Sequence, residues 1–259
     1  MLVKKLIKNT LVTVARSRQY ELIPAWSFQR EPLVRHLKSV FERFKVDCVL
    51  DVGANLGQYH DMLRQDIGFE GIILSFEPVK KYVKVLQEKS KNDKKWRIFD
   101  FALGSTENVA TINVTKSPGL NSFLEPRTDG VPGYWSSDEV TGTEQVQIRV
   151  LDEIFSGLRE EHGFSTPYLK LDTQGFDLEV LRGAKLSLGE FSSLQTEASI
   201  KPIYQDMPDY RHVIEHLSAA GFDLSAMFPV SHDDSFRLIE FDCVMVNRSR
   251  ADALSNLAQ

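Results

Sequence analysis

"VLDVGANLGQYH", residues 49–60, carries a short apolar run into Asp51 and then into two glycines, Gly53 and Gly57. An apolar segment that stops at glycine and passes into a helix is the opening of an α/β unit that holds a small ligand at a strand end. The spacing is G-x-N-x-G. It lacks the extra glycine with which G-x-G-x-x-G lets backbone approach a pyrophosphate, and it lacks the Lys and Ser/Thr of a P-loop. Small residues before a helix N-terminus still suit a ligand carboxylate, and Asp51 suits a ligand ammonium.

The pattern repeats on either side of this stretch. Upstream, Leu33, Leu37, Val40, Phe41 and Phe44 fall on one face of an amphipathic helix. Downstream, Leu56 to Gln65 reads as a helix, "GIILSFEP" as a buried strand stopped by Pro78, Lys80 to Lys91 as a helix, and "WRIFDFAL" as a third strand. Strands alternating with helices predict a parallel sheet covered on both faces. From Gly104 to Glu144 the alternation breaks, with five glycines and three prolines around one strand-like piece, "VATINV". So long a segment is expected to be a lid over a site or a partly disordered connection that meets no ligand. "EQVQIRVLDEIF", "TPYLKLD", "FDLEVLRGA", "SSLQTEAS" and Asp209 to Ala220 restore strand and helix in turn, and "FDLSAMFPV" with "RLIEFDCVMVN" closes the chain as an antiparallel pair. The expected organisation is a helical N-terminal elaboration at 1–45, one α/β domain at 46–250 with a lid-like insertion at 104–144, and a tail at 251–259.

Ligands of open parallel sheets bind outside the carboxyl ends of the strands. Acids close five expected strands in turn: Asp51, Glu77, Asp100, Asp172 and Glu197. Carboxylates avoid burial unless they are paired or liganded, so this recurrence marks a site. Glu77 stands where an acid can accept both hydroxyls of a ribose. Asp100 and the backbone near Ala102 stand where an adenine edge would lie.

Bulk composition limits the alternatives. The chain has 259 residues, is 42% apolar and carries a net charge of -5. That excludes disorder, and it argues against general nucleic-acid binding, which needs clustered excess cations. The first twenty residues are the local exception: Lys4, Lys5, Lys8, Arg16 and Arg18 meet no acid, beside apolar residues at helical spacing. A basic amphipathic helix touching an anionic membrane surface is one reading; a helix packed on its own domain is the other. No apolar run is long enough for a membrane span, and no signal peptide is recognisable. Cys48 and Cys243 sit in strand-like runs and read as buried free thiols, which fits a reducing, cytoplasmic setting.

Taken together, "VLDVGANLGQY", "FEP", "FALGS", "VLDEIF", "YLKLDTQGFDLEVLRGA", "TEASIKPIY" and "IEFDCVMVN" resemble the FkbM family of S-adenosylmethionine-dependent methyltransferases over residues 46–247. The most specific block is Lys170 to Ala184, where the family typically reads K-I-D-x-E-G-x-E-x-x-V-L-x-G-A; Gln174 and Asp177 replace its glutamates here. The resemblance implies a Rossmann-like α/β fold whose seven-stranded, mostly parallel sheet has the order 3-2-1-4-5-7-6. It also implies S-adenosylmethionine as cofactor, with Asp51, Gly53, Asn55 and Gly57 at its methionine end, Glu77 at the ribose, and Asp100 with Ala102 at the adenine. The activity implied is O-methylation of a sugar, glycolipid or other small natural product.

An aliphatic hydroxyl must lose its proton during methyl transfer. Asp172 and Glu197, at neighbouring strand ends, are the candidates to accept it, either as a base or by holding Mg²⁺ or Ca²⁺, with His232 in "PVSHDDSF" as a further catalytic candidate. His36, His60, His162, His212 and His216 read as surface imidazoles. Asn121, Ser122, Tyr134 and Trp135 in the expected lid suit a polar acceptor. Two other functions remain open at this stage. One is a binding module that holds S-adenosylmethionine without turnover, which the loss of charge at Gln174 suggests. The other is a nicotinamide-dependent oxidoreductase, against which the missing glycine and the absence of a Tyr-x-x-x-Lys pair speak.

Overall fold

The computed structural model describes residues 17, 18, 20, 28–127 and 140–256. Most of the basic leader, and Tyr134 and Trp135, therefore lie outside the described residues. Strands β1 (Cys48–Val52), β2 (Ile72–Phe76), β3 (Trp96–Phe99), β7 (Pro167–Leu171), β8 (Ser193–Ser199), β9 (Phe222–His232) and β10 (Leu238–Asn247) form one sheet. Its order is β3-β2-β1-β7-β8-β10-β9. Counted along this sheet alone, that is the expected 3-2-1-4-5-7-6. The first five strands run parallel, while β10 is antiparallel to both β8 and β9.

A second sheet was not expected. It comprises β4 (Ala102–Gly104), β5 (Asn108–Thr115) and β6 (Val140–Val150) in the order β4-β6-β5. "WRIFDFAL", read as one strand, is split between the two sheets at Asp100 and Phe101. The aromatic and branched residues on both sides of the break gave no periodic sign of it. In the segment 104–144, β5 and the start of β6 are regular paired strands.

Helix α1 (Glu31–Phe44) starts with Pro32 in its first turn, where a missing N–H costs nothing, and buries Leu33, Val34, Leu37, Val40 and Phe41. These pack with Val49, Ile73, Tyr168 and Val244 on one face of the main sheet. On the same face lies α2 (Gln58–Met62), which runs into a π-helical turn at Leu63–Ile67. The other face carries α4 (Leu151–His162), α5 (Asp177–Arg182) and α6 (Tyr210–Ala219), packed through Leu151, Phe155, Leu178, Leu181, Val213 and Leu217 against Leu50, Val52, Leu74 and Phe76. Period-two alternation along β1 sends Cys48, Leu50 and Val52 one way and Val49 the other, which is why a single apolar strand feeds both layers. Helix α3 (Lys80–Ser90) follows β2.

Cys48 and Cys243 are free and buried as expected, and burial pushes the Cys243 thiol up to about 12. His60 departs from the surface reading: it is 9% exposed, stacked on Trp96 at 3.6 Å between ring centroids, and bonded to Asp61 and Asp93. The residues read as a tail from 251 continue the helix α7 (Arg248–Asn256). None of the described helices is long and apolar enough to cross a membrane.

Candidate active site

The chain passes from β1 to β2 on one side and later returns to place β7 on the other. The carboxyl ends of β1 and β7 therefore meet at the topological switch point. A cavity of about 600 Å³, counted to its open mouth, lies there. Val52, Gly53, Asn55, Phe76 and Glu77 form one wall, and Asp172, Thr173, Gln174 and Phe176 another. Ala102, Leu103 and Ile112 from the second sheet form the apolar side, and Pro118, Gly119, Asn121 and Phe123 complete it.

The two glycines of the G-x-N-x-G stretch answer to the protein's own packing. A Cβ at Gly53 would stand 2.0 Å from the Asp172 carbonyl oxygen, and Gly53 has φ +83°. At Gly57, φ is +82° and a Cβ would press on the Trp96 ring at 2.9 Å. Gly57 does not line the cavity, so its role is to begin α2 over Trp96 rather than to admit a ligand.

Asn55 is the member of the stretch that faces the cavity in a way a ligand could use. Its φ is 50°, a left-handed conformation that few residues other than Gly, Asn and Asp adopt readily. Its backbone N–H donates to Glu77 Oε2 at 2.8 Å. Its own Oδ1 is buried with no hydrogen-bond donor. Such an orphaned acceptor costs about 1–3 kcal/mol until something donates to it.

Glu77 is 5% exposed and accepts from the N–H groups of Asn55 and, at 2.9 Å, Val79. Burial raises its carboxyl to about 7, against the lowering effect of those two N–H groups. Each oxygen keeps a further lone pair for a ligand hydroxyl.

Asp51 is placed differently from expectation. Register sets Ser75, Asp51 and Lys170 side by side across β2, β1 and β7. The fully buried Asp51 carboxylate accepts from Ser75 Oγ at 3.0 Å, which itself accepts from Trp96 Nε1 at 2.9 Å. Lys170 Nζ stands 3.7 Å from Asp51 Oδ1. Asp51 is absent from the cavity walls and faces Lys170; its Oδ1, like that of Asn55, is buried with no hydrogen-bond partner.

Lys170 reaches upward as well, donating to Asp172 Oδ2 at 3.0 Å. Burial alone would lower its ammonium, yet Asp172 and Asp51 hold it raised. Gln174, with φ 53°, donates from one amide nitrogen to Asp172 Oδ1 at 2.9 Å and to Glu197 Oε2 at 3.1 Å. Asp177 closes the turn: it accepts from the Thr173 N–H at 2.8 Å, from the Thr173 hydroxyl and from Thr196 Oγ1 at 2.6 Å. The shorter arm in place of the family glutamate thus has full employment within the turn. Burial, then Asp172, Glu240, Asp242 and Asp177, push the Glu197 carboxyl well above the usual range.

The structure therefore brings together Gly53, Asn55, Glu77, Ala102, Asn121 and Asp172 in the cavity, with Glu197 joined through Gln174. It leaves others out. Asp100 is exposed at the break between sheets, and the apolar Leu103 and Phe176 are what line the side assigned to it. His232 is exposed at the end of β9, paired with Leu238 across the hairpin. Ser122 is buried and donates to the Gln174 carbonyl at 2.6 Å. Asn121 lines the cavity, but its side chain already bridges the Thr115 N–H and the Pro118 carbonyl.

The divalent cation is not supported. Among the described residues no group of three or more His, Cys, Asp or Glu could hold a metal ion. Asp172 and Glu197 each turn an oxygen to the Gln174 amide, and Asp172 turns its other to the Lys170 ammonium, so hydrogen-bond donors stand where a cation would have to sit. Sequence reasoning also passed over Thr173, Phe176 and Tyr204. The last lies in the quoted "TEASIKPIY", where nothing in its neighbours announces that a buried hydroxyl will reach Gln174 Oε1 at 3.0 Å.

This sheet order, with an acid-bearing cavity at its switch point, defines a Rossmann-like methyltransferase fold. The family model "Methyltransferase FkbM domain" matches residues 51–224. The chain belongs to the FkbM methyltransferase family. A comparison with curated proteins finds no match. Among solved structures, it is similar to the methyltransferase FkbM from Methylobacillus flagellatus KT, at 15% identity and a TM-score of 0.48 over 77% of this chain and 43% of that one. It is similar to Aeropyrum pernix fibrillarin in complex with S-adenosyl-L-methionine, at 12% identity and 0.43 over 77% and 66%. It is also similar to magnesium protoporphyrin IX methyltransferase from Synechocystis PCC 6803 with bound S-adenosylmethionine, at 10% identity and 0.42 over 94% and 96%. The chain thus spans less than half the length of the Methylobacillus protein and just under two thirds of the fibrillarin.

Proposed function

We propose that this chain is an S-adenosylmethionine-dependent methyltransferase that acts on a hydroxyl of a sugar, glycolipid or other small natural product. The observation that carries the reading is the orphaned, buried Asn55 Oδ1 in the same cavity as Glu77 and Asp172. Each suits one part of the cofactor. Asn55 Oδ1 is an acceptor for the ammonium, Glu77 for the ribose hydroxyls, and the apolar side at Phe76, Leu103, Ile112 and Phe176 for a flat adenine. When bound, S-adenosylmethionine supplies an electrophilic methyl on a sulfonium, a leaving group that needs no protonation.

What remains for the protein is to align the acceptor, exclude water and remove a proton. Asp172, which lines the cavity and accepts from Lys170 and Gln174, can orient the attacking hydroxyl. The proton released as the oxygen–carbon bond forms passes to the Asp172–Glu197 pair, which must stand ionised to accept it. Methyl transfer then leaves a neutral thioether, an ether and a protonated carboxyl, so charge and atoms balance. A cytoplasmic setting, with residues 1–20 resting on an anionic membrane surface, would bring glycolipid acceptors to the cavity.

Calorimetry with S-adenosylhomocysteine and with NAD tests the reading. Heat from S-adenosylhomocysteine and none from NAD is expected; NAD binding without the thioether would refute it. The Asp172→Ala variant separates an enzyme from a binding module, because a module would retain affinity and show no methyl transfer even before substitution.

A further inference from the structure

We propose that Gln174, aimed by Tyr204, is the positioning residue that gives Asp172 and Glu197 different roles. The inference rests on the methyl-transfer reading for its purpose, though not for its geometry. The side-chain amide and the carbonyl of Gln174 are all committed. Its Nε2 donates to both carboxylates, its Oε1 accepts from the Tyr204 hydroxyl at 3.0 Å, and its carbonyl accepts from Ser122 Oγ at 2.6 Å. The residue holds φ 53°, outside the range most side chains prefer, and a strained conformation at a site persists only where its surroundings over-determine it.

The orientation of the amide follows from its partners. Asp172 Oδ1 and Glu197 Oε2 lie beside Nε2 while the Tyr204 hydroxyl lies beside Oε1, and a carboxylate oxygen facing Nε2 can accept from it. Tyr204 is 1% exposed and its hydroxyl also lies 3.1 Å from the Leu120 carbonyl, so the ring is locked between the covering segment and the turn after β7. Tyr204 therefore acts through Gln174.

The two acids receive unequal support from this arrangement. Asp172 accepts from an ammonium and from the amide. Among the described residues Glu197 accepts from the amide alone, and it faces Asp172 and Asp177 from the β7 turn and α5, and Glu240 and Asp242 from β10. Glu197 thus has one donor against four acids, where Asp172 has an ammonium and the amide. A glutamate at 174 would add a fifth acid and remove that donor.

The test uses the full chain without any acceptor. Side-chain carboxyl ¹³C resonances are followed from pH 4 to 9, the Glu197 signal being assigned by its loss in Glu197→Gln. The midpoint for Glu197 should rise by about one pH unit in Gln174→Ala, since a hydrogen bond to the charged form is worth about that much. It should rise further in Gln174→Glu. Tyr204→Phe keeps the ring, and so the packing, and should move the midpoint in the same direction by less. Unchanged midpoints in both Gln174→Ala and Tyr204→Phe would overturn the proposal, as would a downward shift. S-adenosylhomocysteine affinity, measured on the same samples, keeps the two ideas apart: failure of the unsubstituted protein to bind it would remove the methyl-transfer reading and leave the titration to judge the clamp.

Discussion

Binding of S-adenosylhomocysteine should tighten as pH rises through neutrality, and Glu77 should be the cause. In the free protein burial holds its carboxyl at about 7. Two ribose hydroxyls donating to it would favour the charged form, so the ligand selects the deprotonated protein and releases a proton. With a free-state value of 7, the fraction competent to bind is about one in eleven at pH 6 and about ten in eleven at pH 8. Affinity should then increase about tenfold between those values, close to 1.4 kcal/mol. Calorimetry in buffers of different ionisation enthalpy reads both the affinity and the proton count. Glu77→Gln should flatten the profile and weaken binding at pH 8 by about 1.5–3 kcal/mol, the range for hydrogen bonds to a charged group. An unchanged affinity from pH 6 to 8 in the unsubstituted protein, or proton uptake on binding, would refute the reasoning.

Other consequences are equally open to measurement. The raised carboxyls of Glu77 (about 7) and Asp242 (about 6) hold protons in the folded state that the unfolded chain releases at lower pH. Unfolding free energy should therefore fall by about 3 kcal/mol from pH 5.5 to 8, read from urea midpoints. Lys170→Met should cost about 3–5 kcal/mol by leaving Asp51 buried beside Asp172 with no counter-charge, and its urea midpoint should recover in part on further replacing Asp51 by Asn. Leu37→Ala, at a fully buried position of α1, should cost about 2–5 kcal/mol in the same assay and leave S-adenosylhomocysteine affinity unchanged.

Regular periodicity made most of the fold legible. The alternation of apolar runs with amphipathic segments places α1, β1, β2, α3, β7, β8, α6 and the final hairpin close to where they lie. The break at Asp100 was hidden because Phe99, Phe101 and Leu103 are apolar on both sides of it, and one uninterrupted strand satisfies the pattern equally well. Within the site, strand-end position identified Glu77 and Asp172, since the sheet itself delivers those residues to the cavity. It did not bring to the cavity wall Asp51, which sits before the strand end and takes its direction from alternation, or Asp100, where the strand ends early. His232 was a matter of loop geometry that no spacing encodes. Gln174 was visible as a departure from the family pattern, but its meaning depends on Tyr204 and Glu197, which lie thirty and twenty-three residues away in sequence. Contacts of that kind belong to tertiary structure alone.

The most direct test of the central claim is the fate of the methyl group itself. Full-length protein incubated with methyl-labelled S-adenosylmethionine and a panel of hydroxyl-bearing glycans and glycolipids should yield a labelled methyl ether and one S-adenosylhomocysteine per ether formed. Asp172→Asn, which keeps the hydrogen bond from Gln174, should bind S-adenosylhomocysteine as before and lose most of the transfer. Label found on nitrogen or carbon, or transfer unaffected in Asp172→Asn, would contradict the account.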